Sequence, residues 1–251
     1  MRGLTDRERE RYLRQLVIPA WGEETQEKLR GFTVFVAGAG GLGSAAILYL
    51  AAAGMGRIRV CDGDRVELSN LNRQVLHAAR GLGSRKAVSA RKAVRRLNPH
   101  VVVEPLVADI SRDNAAALLG DAGLILDCLD NVPARLALNE IAVRAGLPLV
   151  HAGVRGLGGQ LTFIHPPETG CLACFLGSEE RPGPGTEPAP ILGAVAGALG
   201  CLQALEAVKY AAGIGGLAKN RMIFWDGESM RFEEAAIGRN PRCAVCASRG
   251  P

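Results

Sequence analysis

Residues 32–62 read FTVFVAGAGGLGSAAILYLAAAGMGRIRVCD, and this stretch decides the fold. Its first six residues form a short apolar run, which is typical of a strand buried on both faces. Glycines come next, then an apolar helical stretch over about 43–53, and then a second strand, RIRVC, at 57–61. A strand, a glycine-rich turn, a helix and a second strand in this order predict a βαβ unit with parallel strands.

The alternation of strands and helices continues along the chain. Thr5 and Glu8 fit a capping box that begins an N-terminal helix. Further strands are predicted at 101–107, 124–128, 148–154 and 160–165, helices at 84–97, 111–119, 133–145 and 191–211, and a hairpin at 222–225 and 229–235. We therefore expect an α/β fold with a Rossmann-like, mostly parallel sheet and helices on both faces, continued by a small antiparallel β part.

The length of 251 residues suits one large domain. We expect a single domain over residues 1–251, with a nucleotide-binding part at about 30–155 and a second part at about 156–251. Residues 177–190 (GSEERPGPGTEPAP) are dominated by Gly, Pro and Glu and predict a mobile loop in that second part.

Composition and charge exclude several classes of protein. With 48% apolar and 22% charged residues, the chain is not disordered throughout. The start, MRGLTDRERERYLRQL, is charged where a signal peptide has its apolar core, and no apolar run reaches the roughly 18 residues of a membrane span. We expect a cytoplasmic protein with reduced thiols and no membrane contact. The net charge of +5 permits an anionic partner but selects none, and we do not expect nucleic acid.

The turn GAGGLG at 38–43 follows a strand and opens a helix. Its glycines are Gly38, Gly40, Gly41 and Gly43. Glycines let backbone amides approach a phosphate, and a helix N-terminus favours its negative charge. Asp62 ends the next strand, where a carboxylate can accept hydrogen bonds from ribose hydroxyls. The pattern predicts a nucleotide site, and it also fits an NAD-dependent dehydrogenase.

Polar and cationic residues follow the second strand in the run DGDRVELSNLNRQ at 62–74. Asn70, Arg73 and then Lys86 place an amide and two cations just beyond the nucleotide turn. A dinucleotide needs few cations, whereas a triphosphate under attack needs them because charge builds on the α-phosphate and on the leaving pyrophosphate. The alternative is a solvated basic face, since Lys86 lies in a segment rich in Arg and Lys.

The run DCLDN at 127–131 lies at the carboxyl end of a predicted strand, the edge where open α/β sheets bind their ligands. Asp130 can hold the Mg²⁺ that accompanies ATP. The alternative is that Asp130 or Asn131 caps the helix that begins near Pro133.

Two CxxC pairs, Cys171 with Cys174 and Cys243 with Cys246, can supply four thiolates to one tetrahedral Zn²⁺. Four thiolates leave no position for water, so such a zinc would be structural. The alternatives are two redox dithiols or unconnected thiols. The other three cysteines lie in apolar surroundings, which are typical of buried inert thiols: they are Cys61, Cys128 and Cys201.

These motifs, in this order, resemble the family of molybdopterin-synthase and thiazole-biosynthesis adenylyltransferases, the ThiF, MoeB and HesA proteins, which are related to the ubiquitin-activating enzymes. The resemblance spans nearly the whole chain. It is carried by RYLRQL at 11–16, GAGGLGS at 38–44, DGDRVELSNLNRQ at 62–74, GSRK at 83–86, DCLDNVPAR at 127–135, the paired CxxC motifs and ILGAVAGALGCLQALEAVKY at 191–210.

The resemblance implies an enzyme that binds Mg·ATP and the C-terminal Gly-Gly tail of a small ubiquitin-like sulfur carrier protein. The tail carboxylate attacks the α-phosphate, pyrophosphate leaves, and an acyl-adenylate remains, ready to take sulfur for the molybdenum cofactor or thiamin. The part at about 156–251 would bind the carrier and the zinc. The resemblance also implies a homodimer in which Arg14 reaches the ATP of the other subunit.

By matching position, the resemblance assigns roles to single residues. Asp62 would hold the ribose and Asp130 the Mg²⁺, and the phosphates would meet Asn70, Arg73 and Lys86. The full expected ATP site is the glycines of the 38–43 turn with Asp62, Asp64, Asn70, Arg73, Lys86, Asp130 and Asn131. The expected catalytic residues are Arg14, Arg73, Lys86 and Asp130.

One departure from the family concerns the loop at 177–190. Many relatives have a cysteine there that can form a thioester, persulfide or acyl-disulfide with the carrier. Here Thr186 stands at that position, and the loop contains no cysteine. We therefore expect adenylation without covalent transfer, with a separate sulfurtransferase delivering the sulfur.

Three rival hypotheses stay open on the sequence. An NAD-dependent oxidoreductase shares the glycine turn but leaves Arg73, Lys86 and the paired cysteines without a role. A binding protein could use the fold without catalysis. Some members of the family adenylate a modified tRNA base, although the RYLRQ start and the cysteine pairs look more like the carrier-protein branch.

Overall fold

The computed structural model of the chain describes residues 3–177 and 190–248. Thr186 and nearly all of the predicted loop fall in 178–189 and lie outside the described residues. One eight-stranded sheet runs through the described part. Its strands are β1 Thr33–Ala37, β2 Arg57–Cys61, β3 Val102–Leu106, β4 Leu124–Asp127, β5 Leu149–Arg155, β6 Gly158–Ile164, β7 Arg221–Asp226 and β8 Arg231–Ala236.

The strand order is β3-β2-β1-β4-β5-β6-β7-β8. The first five strands in this order pair in parallel, and β6, β7 and β8 continue the sheet in antiparallel pairs. Because β1 pairs with both β2 and β4, the chain changes its winding direction between β1 and β4, and ligands of open α/β sheets bind at such a point. The predicted mostly parallel sheet with an antiparallel continuation is confirmed.

Helices cover both faces of the sheet, as predicted. They are α1 Asp6–Leu16, α2 Gly22–Gly31, α3 Gly41–Ala53, α4 Lys86–Leu97, α5 Ala115–Leu119, α6 Val132–Ala145, α7 Leu172–Leu176 and α8 Gly193–Ala212. Alternate residues of β1 point to opposite faces. Val34 and Val36 pack in one core with α2, α3, α4 and α8, whereas Phe35 packs in a second core with α5, α6 and α7. None of these helices is both long enough and apolar enough to cross a membrane.

The sequence patterns predict neither α2 nor α7. The buried residues of α2 are Thr25, Gln26 and Leu29, so the helix has no apolar stripe that periodicity could detect. Its sequence, GEETQEKLRG, does carry acidic residues in the first turn and basic residues in the last. These charges complement the helix dipole and are the signal that marks this helix.

The N-terminal helix α1 begins at the predicted capping box. The Glu8 N–H donates to Thr5 Oγ1 at 3.3 Å, and the Thr5 N–H donates to Glu8 Oε2 at 2.8 Å. Tyr12 is buried and accepts a hydrogen bond from Asn98 Nδ2 at 2.8 Å. Leu13, Leu16 and Val17 follow Tyr12 at helical spacing and form an apolar stripe with it, yet Leu13 and Val17 are 55% and 67% exposed. The stripe is therefore only partly covered within the described part of one chain.

The long helix α8 packs directly against α3, and glycines make that approach possible. A Cβ on Gly200 would lie 2.3 Å from the Leu42 carbonyl oxygen, which is far closer than side-chain and backbone atoms can approach. A Cβ on Gly197, one turn away, would meet no atom within 4 Å. Gly200 thus allows the close approach of α8 to α3, and Gly197 takes no part in it.

We predict opposite effects of alanine at these two glycines of α8. Gly200→Ala should lower the free energy of unfolding by about 1–3 kcal/mol, because α8 must move away from the α3 backbone. Gly197→Ala should leave it unchanged or raise it by up to about 1 kcal/mol, because alanine favours the helix. Urea denaturation of both variants checks this, and equal stability of the two would contradict the close packing.

Candidate active site

A cavity of about 1850 Å³ opens at the carboxyl edge of the sheet, beside the point where β1 meets β4. The turn after β1 and the loops after β2 and β4 form one side of this cavity, and residues of β5, β6 and β7 form the other. Small-molecule sites usually measure about 300–1,000 Å³. The cavity therefore has room for a nucleotide together with an extended peptide.

Most of the residues expected at the ATP site line this cavity. They are Gly38, Gly40, Gly41, Asp62, Asp64, Arg73, Lys86, Asp130 and Asn131. Three expected residues are absent from the lining. Gly43 lies beneath the glycine turn, Asn70 is buried behind the wall, and Arg14 is exposed on α1.

The glycine turn holds its shape through close backbone contacts. Gly38 has a φ of +94°, and a Cβ there would lie 2.7 Å from the Cys128 carbonyl oxygen. A Cβ on Gly43 would lie 2.0 Å from the Gly38 carbonyl oxygen. Only glycine fits both positions, and α3 therefore begins directly at the cavity, where its N-terminal amides favour an anion.

A chain of hydrogen bonds links the turn to Lys86. Asp62 Oδ2 accepts from the Ala39 N–H at 2.8 Å, and Asp62 Oδ1 accepts from the Asp64 N–H at 2.9 Å. The Lys86 ammonium donates to Asp64 Oδ2 at 2.8 Å. The Lys86 side chain is only 8% exposed. It is therefore a fixed cation in the cavity wall and not part of a solvated basic face.

The remaining cations of α4 differ from Lys86. Arg91, Lys92, Arg95 and Arg96 are exposed along the outer side of the helix. A solvated basic face, the alternative for this segment, thus describes these four residues and not Lys86.

Arg73 and Asn70 lie in the loop after β2, at different depths. The guanidinium of Arg73 donates through Nη1 to the Ser69 carbonyl and to Asn72 Oδ1, each at 3.0 Å, and its side chain lines the cavity. Asn70 is buried, and its Oδ1 accepts from the Glu67 N–H at 3.1 Å. In this geometry Asn70 shapes the loop that presents Arg73.

The sequence left open whether Asp130 or Asn131 caps α6, and in the structure Asn131 is the cap while the Asp130 carboxylate stays free of that role. Asn131 Oδ1 accepts from the Ala134 N–H at 2.9 Å and caps α6. Asp130 is exposed at the cavity, and its only hydrogen bond within the described residues is a long one of 3.5 Å from Asn131 Nδ2. The Asp130 carboxylate is therefore available to a cation, the kind of ligand that Mg²⁺ prefers.

Asp127, His151 and Arg135 form a buried polar cluster beneath the middle of the cavity, which the sequence patterns do not predict. His151 Nδ1 lies 2.7 Å from Asp127 Oδ2, and both side chains are fully buried. Burial tends to raise the pKa of Asp127, but the charge of Arg135 and the hydrogen bond from His151 outweigh it and lower that pKa. Burial lowers the pKa of His151, so its imidazole is neutral near pH 7. The cluster is an ionised carboxylate held by a neutral imidazole.

Two of the cysteines lie in the cavity wall. Burial raises the pKa of the Cys61 thiol to about 12, and it raises the pKa of the Cys128 thiol as well. Cys128 Sγ donates to Gln203 Oε1 at 3.3 Å. A thiol with a raised pKa is a poor nucleophile, so both residues match the expected inert type. Cys201, on α8, is only half-buried.

The paired cysteines come together behind the sheet. Their Sγ atoms all lie within 4.8 Å of one another, with 4.0 Å from Cys171 to Cys174, 3.7 Å from Cys171 to Cys243, and 3.5 Å from Cys174 to Cys246. Four sulfurs around a tetrahedral Zn²⁺ at about 2.3 Å stand roughly 3.8 Å apart. The four thiols therefore fit a structural zinc, and none of them is paired in a disulfide.

The fold and the cavity define a class of protein, a nucleotide-binding α/β protein with a four-cysteine cluster. A protein-family model described as the ThiF family matches residues 12–245. The chain belongs to the ThiF family.

Relatives of similar length carry informative names. The chain is 40% identical to "SAMP-activating enzyme E1" of Haloferax volcanii, over 96% of this chain and 90% of that protein. It is 39% identical to "Sulfur carrier protein adenylyltransferase" of Thermus thermophilus, over 96% of this chain and 92% of that protein. It is 38% identical to "Molybdopterin-synthase adenylyltransferase" of Escherichia coli, over 98% and 99%.

Solved structures agree on the fold. Escherichia coli MccB with ATP superposes with a TM-score of 0.77 at 25% identity, over 88% of this chain and 68% of that chain. MccB with MccA-N7isoASN gives a TM-score of 0.84 at 24% identity, over 95% and 74%.

We predict that zinc binding depends on the four clustered cysteines and on no other cysteine. Cys243→Ser should remove bound zinc and lower the melting temperature, because one thiolate ligand is lost from the cluster. Cys201→Ser is the matched control and should keep the zinc, since Cys201 lies on α8 outside the cluster. Elemental analysis of both purified proteins gives the answer, and full zinc in Cys243→Ser would refute the four-cysteine site.

Proposed function

We propose that this protein adenylates the C-terminal Gly-Gly carboxylate of a small ubiquitin-like sulfur carrier protein. One observation carries the proposal: the cavity joins a nucleotide side, with the glycine turn, Arg73 and Lys86, to a peptide-sized side along β5 and β6. The relatives named for sulfur-carrier and molybdopterin-synthase adenylylation support the same chemistry. The chemistry would serve the molybdenum cofactor, thiamin or another sulfur-transfer route.

In the proposed reaction, ATP lies along the N-terminus of α3, and the carrier carboxylate attacks the α-phosphate. Asp62, directly after β2, would accept from the ribose hydroxyls, and its position in the cavity lining supports this role. Lys86 is fixed by Asp64 and faces the phosphates with little rearrangement. Fixed cations stabilise charge that develops during the reaction more than mobile ones, because they are not reorganised as the charge forms.

Bound Mg²⁺ would screen the charge on the phosphates and assist the departure of pyrophosphate. Asp130 is the residue that would hold it, because Asn131 alone takes the capping role at α6. An oxyanion-rich ligand and a free carboxylate are the donors that this ion favours. The oxidoreductase alternative gives Lys86 and Asp130 no role and is not favoured.

We also propose that the product is the acyl-adenylate and that a separate sulfurtransferase delivers sulfur to it. The chain has no cysteine between 175 and 200, so the segment around Thr186 offers no thiol for a covalent intermediate. Cys61 and Cys128, in the cavity wall, have raised pKa values because they are buried, so they are poor substitutes.

The active form proposed is a homodimer in which Arg14 serves the partner's site. Arg14 is exposed on α1 and does not line the cavity of its own chain. Its neighbours Leu13 and Val17 expose apolar surface, as does Ile18 at 46%. An apolar patch around an arginine is typical of an interface, and a second copy covering it would bring Arg14 to another subunit.

We predict that Arg73→Ala and Lys86→Ala each slow carrier-dependent exchange of pyrophosphate into ATP by about 100-fold, because each removes a fixed cation from the phosphate site. Arg91→Ala, on the exposed side of the same helix as Lys86, is the control and should react at the wild-type rate. Rates near wild type in Arg73→Ala and Lys86→Ala would remove their assigned roles, and absence of exchange in the wild type with every candidate Gly-Gly carrier would overturn the proposed function.

Mixing two impaired variants tests the shared site. Arg14→Ala and Arg73→Ala should each react alone at about a hundredth of the wild-type rate, whereas a subunit-exchanged mixture should regain about a quarter of it. Half of the dimers are then mixed, and each mixed dimer has one site with neither change. A mixture that exchanges subunits, as shown by mass spectrometry, and yet stays as slow as the single variants would contradict action in trans.

A further inference from the structure

Arg135 projects from α6 into the cavity wall, between the nucleotide side and the strand side. Its Nε donates to the Leu129 carbonyl at 3.1 Å, and Nη2 donates to the Ala152 carbonyl at 3.0 Å. Asp127 Oδ1 lies 3.7 Å from Nε. Within residues 3–177 and 190–248, Nη1 makes no hydrogen bond. The guanidinium is thus fixed on one side and has one nitrogen left for a ligand.

The carboxylate beside Arg135 is itself held in place. Asp127 accepts from the Leu129 N–H at 3.1 Å and from His151 Nδ1 at 2.7 Å. Because His151 gives its Nδ1 proton to Asp127, its Nε2 is an acceptor, and Gln160 Nε2 lies 3.3 Å from it. A continuous hydrogen-bond chain therefore runs from Gln160 in β6 through His151 in β5 to Asp127 in β4.

Gly153 leaves an open space between Arg135 and Gln160. A Cβ on Gly153 would lie 3.4 Å from Arg135 Nη1 and 3.6 Å from Gln160 Nε2. Gly153 lies within β5, and its backbone has no left-handed φ that would demand glycine. The missing side chain thus opens a space that is flanked by a guanidinium nitrogen and an amide, and all three residues line the cavity.

We propose that Arg135 and Gln160 bind the terminal glycine of the carrier tail in the space beside Gly153, and that Asp127 and His151 are positioning residues for Arg135. This inference rests on the proposed function. Arg135 Nη1 donates to one oxygen of the tail carboxylate, and Gln160 Oε1 accepts from a tail N–H. The other carboxylate oxygen stays free to attack.

Electrostatics explains why this reaction needs such a subsite. The tail carboxylate and the triphosphate are both anions, and they repel each other at bonding distance. A cation fixed beside the carboxylate offsets that repulsion without moving. Asp127 keeps the buried guanidinium compensated, while its 3.7 Å separation from Nε leaves Nη1 uncommitted.

Binding of two synthetic decapeptides, identical in sequence and ending in Gly-Gly, tests the subsite on the full chain by isothermal titration calorimetry. One has a free carboxylate and the other a C-terminal amide. The wild type should bind the acid about tenfold more tightly than the amide, the range of a charge-assisted hydrogen bond. Arg135→Ala should abolish the preference. Gly153→Ala should abolish it as well, with little change in melting temperature, because the added methyl meets its neighbours at ordinary contact distances.

Equal binding of acid and amide by the wild type, no binding of either, or an unchanged preference in both variants would each overturn the proposal. The outcome is separable from that of the proposed function. An acid preference that depends on Arg135 in a protein without carrier-dependent exchange would leave the subsite standing and the proposed function refuted. Exchange with a carrier but no acid preference would leave the proposed function standing and the subsite refuted.

Two substitutions at His151 distinguish positioning from a general structural role. His151→Asn keeps an N–H directed at Asp127, whereas His151→Leu removes it. His151→Leu should lose the acid preference and raise the KM for the carrier about tenfold at an unchanged KM for ATP, and His151→Asn should retain wild-type values. Equal losses in both variants, or a matching rise in the KM for ATP, would show that His151 does not act through Arg135.

Discussion

The turn between β1 and α3 has no space for a side chain where it meets the end of β4. Gly38 lies against the Cys128 carbonyl, and Gly43 lies against the Gly38 carbonyl. These contacts place the first amides of α3 at the carboxyl edge of the sheet. Asp62 then accepts from the Ala39 N–H, and the hydrogen bonds continue through Asp64 to Lys86. The position of the Lys86 ammonium, more than 40 residues after the turn, thus depends on the close approach of Gly38 to the Cys128 carbonyl.

The opposite side of the cavity depends on different contacts. The antiparallel strands β6 and β7 extend the sheet beyond β5, and the four-cysteine cluster packs behind it with α6 and α7. Asn139 of α6 accepts from the Leu172 N–H at 2.8 Å, next to Cys171. A metal there would tie the segment after β6 to the C-terminal segment and to the helix that presents Arg135. The cluster stands outside the cavity and shapes it only through the helix and strands that it supports.

The sequence predicts β1 and β4 well because each is a mostly apolar run that is buried along its length. It predicts the glycine turn because only glycine fits at Gly38 and Gly43, which leaves a recognisable spacing of glycines. It does not assign roles between neighbours. The spacing of Asp130 and Asn131 fits a cap at either position, and only the geometry gives the cap to Asn131. Asp127 and His151 meet because the register of β4 and β5 pairs them. They are 24 residues apart, and no motif in the sequence indicates this contact. The helix α2 is marked by charge and not by apolar periodicity, and so it is missed.

The charge of the whole chain says little about the site, because the cations differ in what holds them. Arg91, Lys92, Arg95 and Arg96 are surrounded by water, where their fields are screened within about 10 Å. Lys86 is almost fully buried beside Asp64, and Arg135 is held by two carbonyls above Asp127. Each of these two cations has a carboxylate neighbour that offsets the cost of burial, yet each faces the cavity. A site that must bring two anions together needs cations that are buried, fixed and directed at the cavity. The net charge of +5 does not show how many of the cations are of this type.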